Sequence, residues 1–401
     1  MEYGFLSQYF AAVAAKKLSA VETDPATSNQ HEFNGAKALQ AIFGLEKRKF
    51  QTQFIYLCDD DDEPVKDTGF LTWYHARLNH ATRKPEARMY FSSNAVMACA
   101  SAGDNLFVAL RPDDTILAVV AESGSTISHQ LQWLFGLESG NRFDVRHELE
   151  NDLVAFSSRF IIEQLGITIE FPEDNHLEEM LSRFGGVFPS TRVFSAYAQE
   201  TLPNVDARDT PDVVLMQWME QEERLFRMLE KHLIETRLRD GFDDVDSFLH
   251  FSLSVQNRRK SRAGQALENH VEALLKARSI QYARTAVTEN RSKPDFMFPG
   301  SNEYHDINFD VRLLTMLGVK STCKDRWRQV LSEAERIQHK HLLTLEPSIS
   351  KNQTDEMQAR QLQLVLPEQI HGTYTQAQQQ WLMPVHAFLE HVQFNQRAMM
   401  Q

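Results

Sequence analysis

The spacing of apolar residues changes period partway along the chain, and that change constrains the architecture more than any other feature. Up to Glu122 the apolar residues sit in short β-branched or aromatic runs, QFIYLC, GFLTWYHARL, ARMYFSS, NLFVAL and TILAVVAE, separated by Asp, Gly, Pro and Asn. Runs of this kind predict strands of a sheet or barrel. From Leu131 to Leu137 and from Val145 to Leu165 the apolar residues fall at three- and four-residue steps instead, which predicts helices. Periodicity is lost around Phe171-Pro172-Glu173-Asp174, and Gly185-Gly186, Pro189, Pro203 and Pro211 punctuate the stretch beyond it. A chain of 401 residues exceeds what one hydrophobic core usually organises. The expected organisation is a β-rich N-terminal domain over 1–171, a linker over 172–190 and a second domain over 191–401.

In the second domain the sequence predicts a long helix from Asp212 to Leu238, a second over Val245 to Val255, and a third opened by Ser261 and Gly264. Strands are expected near Gln281 to Val287, over Asp295 to Phe298 and over Leu313 to Lys320, and a helix from Lys324 to His339. Helix, strands and helix around a small sheet make an α/β domain. The tail from Gln358 is rich in Gln but keeps apolar periodicity.

Composition narrows the function classes. The net charge of −13 argues against a protein that coats nucleic acid along its whole surface, because nonspecific affinity comes from neutralising phosphates. Yet between Val255 and Arg328 basic residues outnumber acidic ones, while Asp59-Asp60-Asp61-Asp62-Glu63 gathers negative charge in one turn. A basic island in an acidic chain suggests one defined polyanion site. The three cysteines, Cys58, Cys99 and Cys323, are widely spaced and form no CxxC pair, so reduced thiols are expected rather than zinc or a redox centre. No apolar run approaches the length of a membrane span, and Phe5 to Ala15 lies between Glu2 and Lys16-Lys17, the reverse of a secretory layout. A cytoplasmic protein without membrane contact is the expectation.

The segment KPDFMF sets Asp295 where the chain enters a strand, and Lys320 ends the apolar run LLTMLGVK. A familiar nuclease pattern has an acid two residues before such a lysine, but that position here is Gly318. A second acid must come from elsewhere. On the predicted helix after Lys320, Trp327, Val330, Leu331, Ala334 and Ile337 form an apolar stripe beside which Glu333 would point inward. An inward acid costs free energy unless it is paired or binds a cation, so a metal shared with Asp295 gives it a reason. Glu268 stands likewise beside the buried face drawn by Leu267, Val271, Leu274 and Leu275. Oxygen ligands with open water positions favour Mg2+, and the chemistry would be metal-assisted phosphodiester hydrolysis with Lys320 balancing transition-state charge. Each residue alone also has a plain structural explanation: a turn, a solvated helix flank or a surface lysine.

The strings SVQNRRKSRAGQALENHVEALL, KPDFMFPGSNEYHD and GVKSTCKDRWRQVLSEAERI closely resemble the catalytic domain of EcoRII-type type II restriction endonucleases, a branch of the PD-(D/E)XK nuclease superfamily. The likeness is strongest from Ser254 to Leu345. It implies a restriction-endonuclease-like α/β catalytic domain, Mg2+ as cofactor, double-stranded DNA as substrate and a homodimer. In that family twelve residues separate the lysine from the acid, which lands on Asp295, Lys320 and Glu333, with the helix glutamate at Glu268. Residues just past the lysine read DNA, here Lys324, Asp325 and Arg326, with Arg328 nearby; their chemistry suits G·C pairs and implies a core of CC and GG, as in CCNGG or CCWGG. Arg258, Arg259, Lys260 and Arg262 either mix base and phosphate contacts or serve phosphates alone. Tyr304 and His305 match a family string, with a structural role ranked first for His305, and Trp218 is either a stacking platform for a flipped base or a core residue.

The resemblance also implies that the N-terminal domain is a DNA-binding pseudobarrel engaging a second copy of the target. The chain departs from that pattern: AVMACASAGDN replaces an expected basic stretch, and Arg77, His80, Arg83, Lys84 and Arg88 form the local cationic cluster. The domain is either an effector-site binder or a reader of a modified base that directs the nuclease. A third class, a DNA-binding protein with a silent nuclease domain, is opposed by the intact set Asp295, Lys320, Glu333 and Glu268.

Overall fold

The computed structural model describes residues 5–24, 31–34, 36–59, 64–76, 86–147, 149, 156–167, 176–323 and 326–399. The chain divides into two compact units, one comprising Met1–Glu170 with Ser348–Asn352 and the other Phe171–Pro347 with Gln353–Gln401. No described helix is long and apolar enough to cross a membrane.

The first unit is built on one eight-stranded sheet. Its strands are β1 (Ala12–Lys17), β2 (Glu32–Phe33), β3 (Arg48–Leu57), β4 (Val65–Ala76), β5 (Glu86–Phe91), β6 (Asn105–Leu110), β7 (Ile116–Ala121) and β8 (Asp144–Arg146), in the order β2-β5-β4-β3-β7-β6-β1-β8. All neighbours are antiparallel except the parallel pair β3 and β7. Strands β6 and β7 are buried along their whole length, which is why NLFVAL and ILAVVA are continuous apolar runs rather than alternating ones. Phe54, Trp73, Phe91, Leu106 and Val120 belong to the core on this sheet. Asp59, first of the acidic run, accepts the amides of Thr126 and Ile127 and so satisfies the free N-terminus of the helix Thr126–Phe135.

The β-rich reading of this half is borne out, with two differences. Strand β1 lies inside the sheet between β6 and β8, although its alanine-rich sequence carries little strand propensity; pairing on both sides and burial of five of its six residues override the local preference. Val145, expected to begin a helix, belongs to β8, and the described helix in that stretch is Phe156–Gln164. Arg77, His80, Arg83 and Lys84 lie outside the described residues. Arg88 is described and paired with Glu32 at 2.5 Å and Glu86 at 3.2 Å.

The second unit surrounds a six-stranded sheet of β9 (Ala283–Arg284), β10 (Phe296–Phe298), β11 (Thr315–Val319), β12 (Lys340–Leu343), β13 (Leu362–Leu366) and β14 (Met383–Pro384). The order is β14-β13-β12-β11-β10-β9; β9, β10 and β11 are antiparallel, and β11 to β14 are parallel. A first long helix, Pro211–Asp240, packs against a second, Val245–Ala277, and against the helix Thr191–Glu200. The second long helix is a correction to the sequence reading, which broke it at Ser261. Asp244 caps its start by accepting the Ser247 amide at 2.7 Å, and a glycine inside a helix costs only about 1 kcal/mol, too little for Gly264 to end it. The stretch expected to be a linker contains the helix His176–Phe184. The expected helix from Lys324 to His339 is also shorter: the described helix runs over Arg326–Leu331, and Lys340 begins β12. Lys340 Nζ donates to the Leu331 carbonyl at 2.6 Å, and Ala334 turns the chain with a φ of 50°. The Gln-rich tail supplies β13, β14 and the helix Val385–Ala398, its apolar residues packed on the sheet.

Candidate active site

Strand β10 begins directly after Asp295, and its antiparallel partner β11 ends just before Lys320. That pairing brings the two side chains together. Asp295 Oδ2 accepts from Lys320 Nζ at 2.8 Å and from the Val319 amide at 2.6 Å, so the carboxylate is tied to the end of the neighbouring strand. Both side chains are largely buried, at 13% and 19% exposure, where a charge pair is screened less than at the surface.

Gly318 explains why the second acid is absent from its usual place. A Cβ at Gly318 would lie 2.8 Å from Cγ2 and 3.1 Å from Cγ1 of Val330, because the helix Arg326–Leu331 packs directly against β11. A side chain there would have to displace Val330. The acid arrives from beyond that helix: Glu333 is half-buried, though it stands in the bend after Leu331 rather than on a helical stripe as expected. Its Oε2 is buried and has no hydrogen-bond partner among the described residues. Burial raises the Glu333 pKa; Lys320 and Lys340 pull it down, and the negative charge of Asp295 pushes it further up.

Glu268 comes from the second long helix. Its Oε2 accepts from Arg284 Nη2, on β9, at 2.7 Å. Burial raises its pKa, the Arg284 bond opposes the rise, and Asp295 adds to it. Asp295 thus acts electrostatically on both glutamates, so the three carboxylates and Lys320 share one electrostatic neighbourhood. Among the described residues no group of three or more His, Cys, Asp or Glu side chains is drawn together tightly enough to hold a metal ion as it stands. The donor set nevertheless fits a hard divalent cation. It is all oxygen, one of its atoms is buried without a partner, and the cost of crowding negative charge falls when a cation is present.

Beside Glu268 opens a cleft of about 560 Å³, lined by Asn257, Arg258, Ser261, Ser321 and Arg326 among others. Arg258 also lies over the Phe188 ring at 4.5 Å, and Arg326 is exposed. Other cations expected to meet DNA are engaged within the fold. Arg259 pairs with Glu230 at 2.7 Å. Arg262 is buried, bonds Glu223 and covers the Phe226 ring at 3.9 Å, which makes it an anchor between the two long helices. Arg328 pairs with Glu356 at 3.0 Å and lies over Trp327. Lys324 and Asp325 lie outside the described residues, as does the side chain of Lys260.

Three further expectations resolve into structure. Trp218 is 6% exposed and stacks on the buried His270, which places it in the core. Tyr304 is buried and donates to Glu289 at 2.5 Å, while Arg336 bonds its carbonyl. His305 Nε2 meets the Val287 carbonyl at 3.0 Å. The sequence reading missed Arg284, Glu272 and Lys340. A signal for the first pair was present: Glu268 and Glu272 stand four apart on one helix face, an arrangement of like charges that calls for an opposing cation.

Residues 226–389 match the family model described as EcoRII C terminal. The type II restriction enzyme EcoRII of Escherichia coli is 40% identical over 219 residues. In this segment the chain is similar to the EcoRII C-terminal family. The resemblance read from the sequence is thereby borne out, and so is a restriction-endonuclease-like α/β fold for the domain that carries Glu268, Asp295, Lys320 and Glu333. The aligned part is 54% of this chain and 52% of the curated relative, so the match spans about half the length of either. Two solved structures are also similar: metal-depleted Ecl18kI in complex with uncleaved, modified DNA (18% identity, 56% of this chain and 84% of that one, TM-score 0.45) and a PspGI–substrate DNA complex (16% identity, 52% and 94%, TM-score 0.44).

Proposed function

We propose that this chain is a Mg2+-dependent type II restriction endonuclease that hydrolyses double-stranded DNA at a short CC/GG-containing sequence, CCNGG or CCWGG-like, leaving 5′-phosphates. The observation that carries the proposal is the meeting of Asp295 and Lys320 at the ends of paired strands, with Glu333 and Glu268 in the same electrostatic field and Glu333 Oε2 buried without a partner among the described residues. Asp295, Glu333 and Glu268 would hold the cation. When bound, a divalent ion polarises a phosphoryl oxygen and makes the attacking water more acidic. Lys320, kept in line by its bond to Asp295, offers a fixed positive charge to the oxygens that gain charge in the transition state. Arg326 and Arg258, on the cleft beside Glu268, are the described cations best placed to meet base edges and phosphates.

A palindromic target needs two symmetric active sites, so the active form is proposed to be a homodimer. An exposed apolar row at the start of the second long helix, Val245, Phe248, Leu249 and Leu253, supports a surface that a second copy would cover. The first unit is proposed to engage a second DNA site, and the protein to act in the cytoplasm. The test is cleavage of an unmethylated plasmid carrying several CCNGG sites, with magnesium or EDTA, followed by sequencing of the ends. Discrete magnesium-dependent cuts beside CC and GG are expected. Cleavage restricted to modified DNA would refute the proposed specificity, and no cleavage of either substrate would refute the activity.

A further inference from the structure

Arg284 contacts three acceptors on one face of the second long helix. Its Nη2 donates to Glu268 Oε2 at 2.7 Å, and its Nη1 donates to Glu272 Oε2 at 3.0 Å and to Asn269 Oδ1 at 3.1 Å. The guanidinium also lies over the Phe296 ring, 5.8 Å from its centroid, one residue along from Asp295. Glu272 is fixed in turn by Tyr282 Oη at 2.8 Å, Arg192 at 3.2 Å and Lys276 at 3.3 Å. A planar group with this many fixed contacts has little freedom left, so it presents a preorganised donor to Glu268. Glu268 has rotatable bonds of its own and a side chain 22% exposed; among the described residues Arg284 is the group that ties its carboxylate down.

We infer that Arg284 is a positioning residue for the metal centre: it fixes the Glu268 carboxylate through Oε2 and leaves Oε1 for the cation. This rests on the reading of the site given above. Glu272, Asn269 and Tyr282 form a second layer whose task is to fix Arg284. Partners of this kind typically change metal affinity by about 10- to 100-fold when removed.

The experiment is titration of the full-length protein with Mn2+ alone, followed by electron paramagnetic resonance of the free ion, for wild type, Arg284→Gln, Arg284→Lys and Glu272→Gln. Thermal melting in EDTA is recorded alongside. The expected result is about tenfold or greater weakening of Mn2+ affinity in Arg284→Gln, partial recovery in Arg284→Lys, and a smaller loss in Glu272→Gln. A merely structural ion pair would lower the melting temperature and leave Mn2+ affinity at the wild-type value, and that outcome overturns the inference. If Arg284→Gln does not fold, Arg284→Lys and Glu272→Gln decide by the same criterion. Wild-type protein that binds no Mn2+ would instead overturn the metal-centre reading, and this inference with it.

Discussion

Replacing Glu333 by Gln separates the cost of the site from its purpose. The carboxylate is half-buried, its Oε2 lacks a partner among the described residues, and burial raises its pKa with Asp295 adding to the rise. A carboxyl whose folded pKa lies above its unfolded value stabilises the fold below the unfolded pKa, and that contribution is lost as pH rises through the folded pKa. At neutral pH and without metal, ionised Glu333 therefore works against folding. Gln keeps the shape and removes the charge. Gln still leaves a polar atom at that place, so what it removes is the cost of burying the charge; partial exposure and the lost attraction of Lys320 and Lys340 keep the gain to about 1 kcal/mol. In a unit of this size that is a rise of about 2–4 °C in melting temperature. The gain should shrink as pH falls toward the ordinary glutamate range, where the wild-type carboxyl takes up its proton. Saturating magnesium should reverse the order: a ligand at about 100 times its Kd adds roughly 2.7 kcal/mol to wild type, most of which the variant forgoes. Melting of both proteins in EDTA and in magnesium, from acidic to neutral pH, reads all of this. The reasoning is refuted if the variant melts below wild type in EDTA at neutral pH, or if magnesium stabilises both equally.

The same geometry sets three other expectations. Lys320→Ala should lower the cleavage rate by about 10²- to 10³-fold while duplex binding in calcium persists; unchanged single-turnover rates would remove Lys320 from the chemistry. Gly318→Ala should destabilise by about 1–3 kcal/mol, because the new methyl group would meet Val330, and a smaller residue at Val330 should restore stability; a neutral Gly318→Ala in urea denaturation would contradict the packing argument. Arg326→Ala should relax preference at G·C pairs of the target, by about 1–3 kcal/mol for each base it reads; equal weakening on all sequences would make Arg326 a phosphate-binding residue.

What the sequence revealed, and what it hid, has a physical pattern. Asp295 and Lys320 were legible because each sits at the end of an apolar run, and two runs that pair must bring their ends together. The helical stripe that points to Glu333 ends before reaching it: the burial inferred for it is present, but in the bend after Leu331 rather than on a helix. The basic run at Arg258 to Arg262 looked like one patch, yet the helix turns its members to different partners, so Arg258 borders the cleft while Arg262 is buried against Glu223 and Phe226. Sequence position alone could not separate them, because the acids that claim Arg259 and Arg262 lie on another helix. Strand β1 was hidden for a similar reason: its alanines become a strand only through neighbours distant in sequence.

The unbroken helix Val245–Ala277 has a consequence for how such a protein changes over time. It carries the exposed row beginning at Val245, then Arg258 at the cleft, then Glu268, on one rod. Each residue added to a helix advances the remainder of the rod by about 1.5 Å and turns it by about 100°. A single insertion between Arg258 and Glu268 would swing the basic edge of the cleft away from the carboxylates without touching either. Under the proposed function, new target preferences along this stretch come from exchanging side chains in place, since any change of length would put reading and cutting out of step.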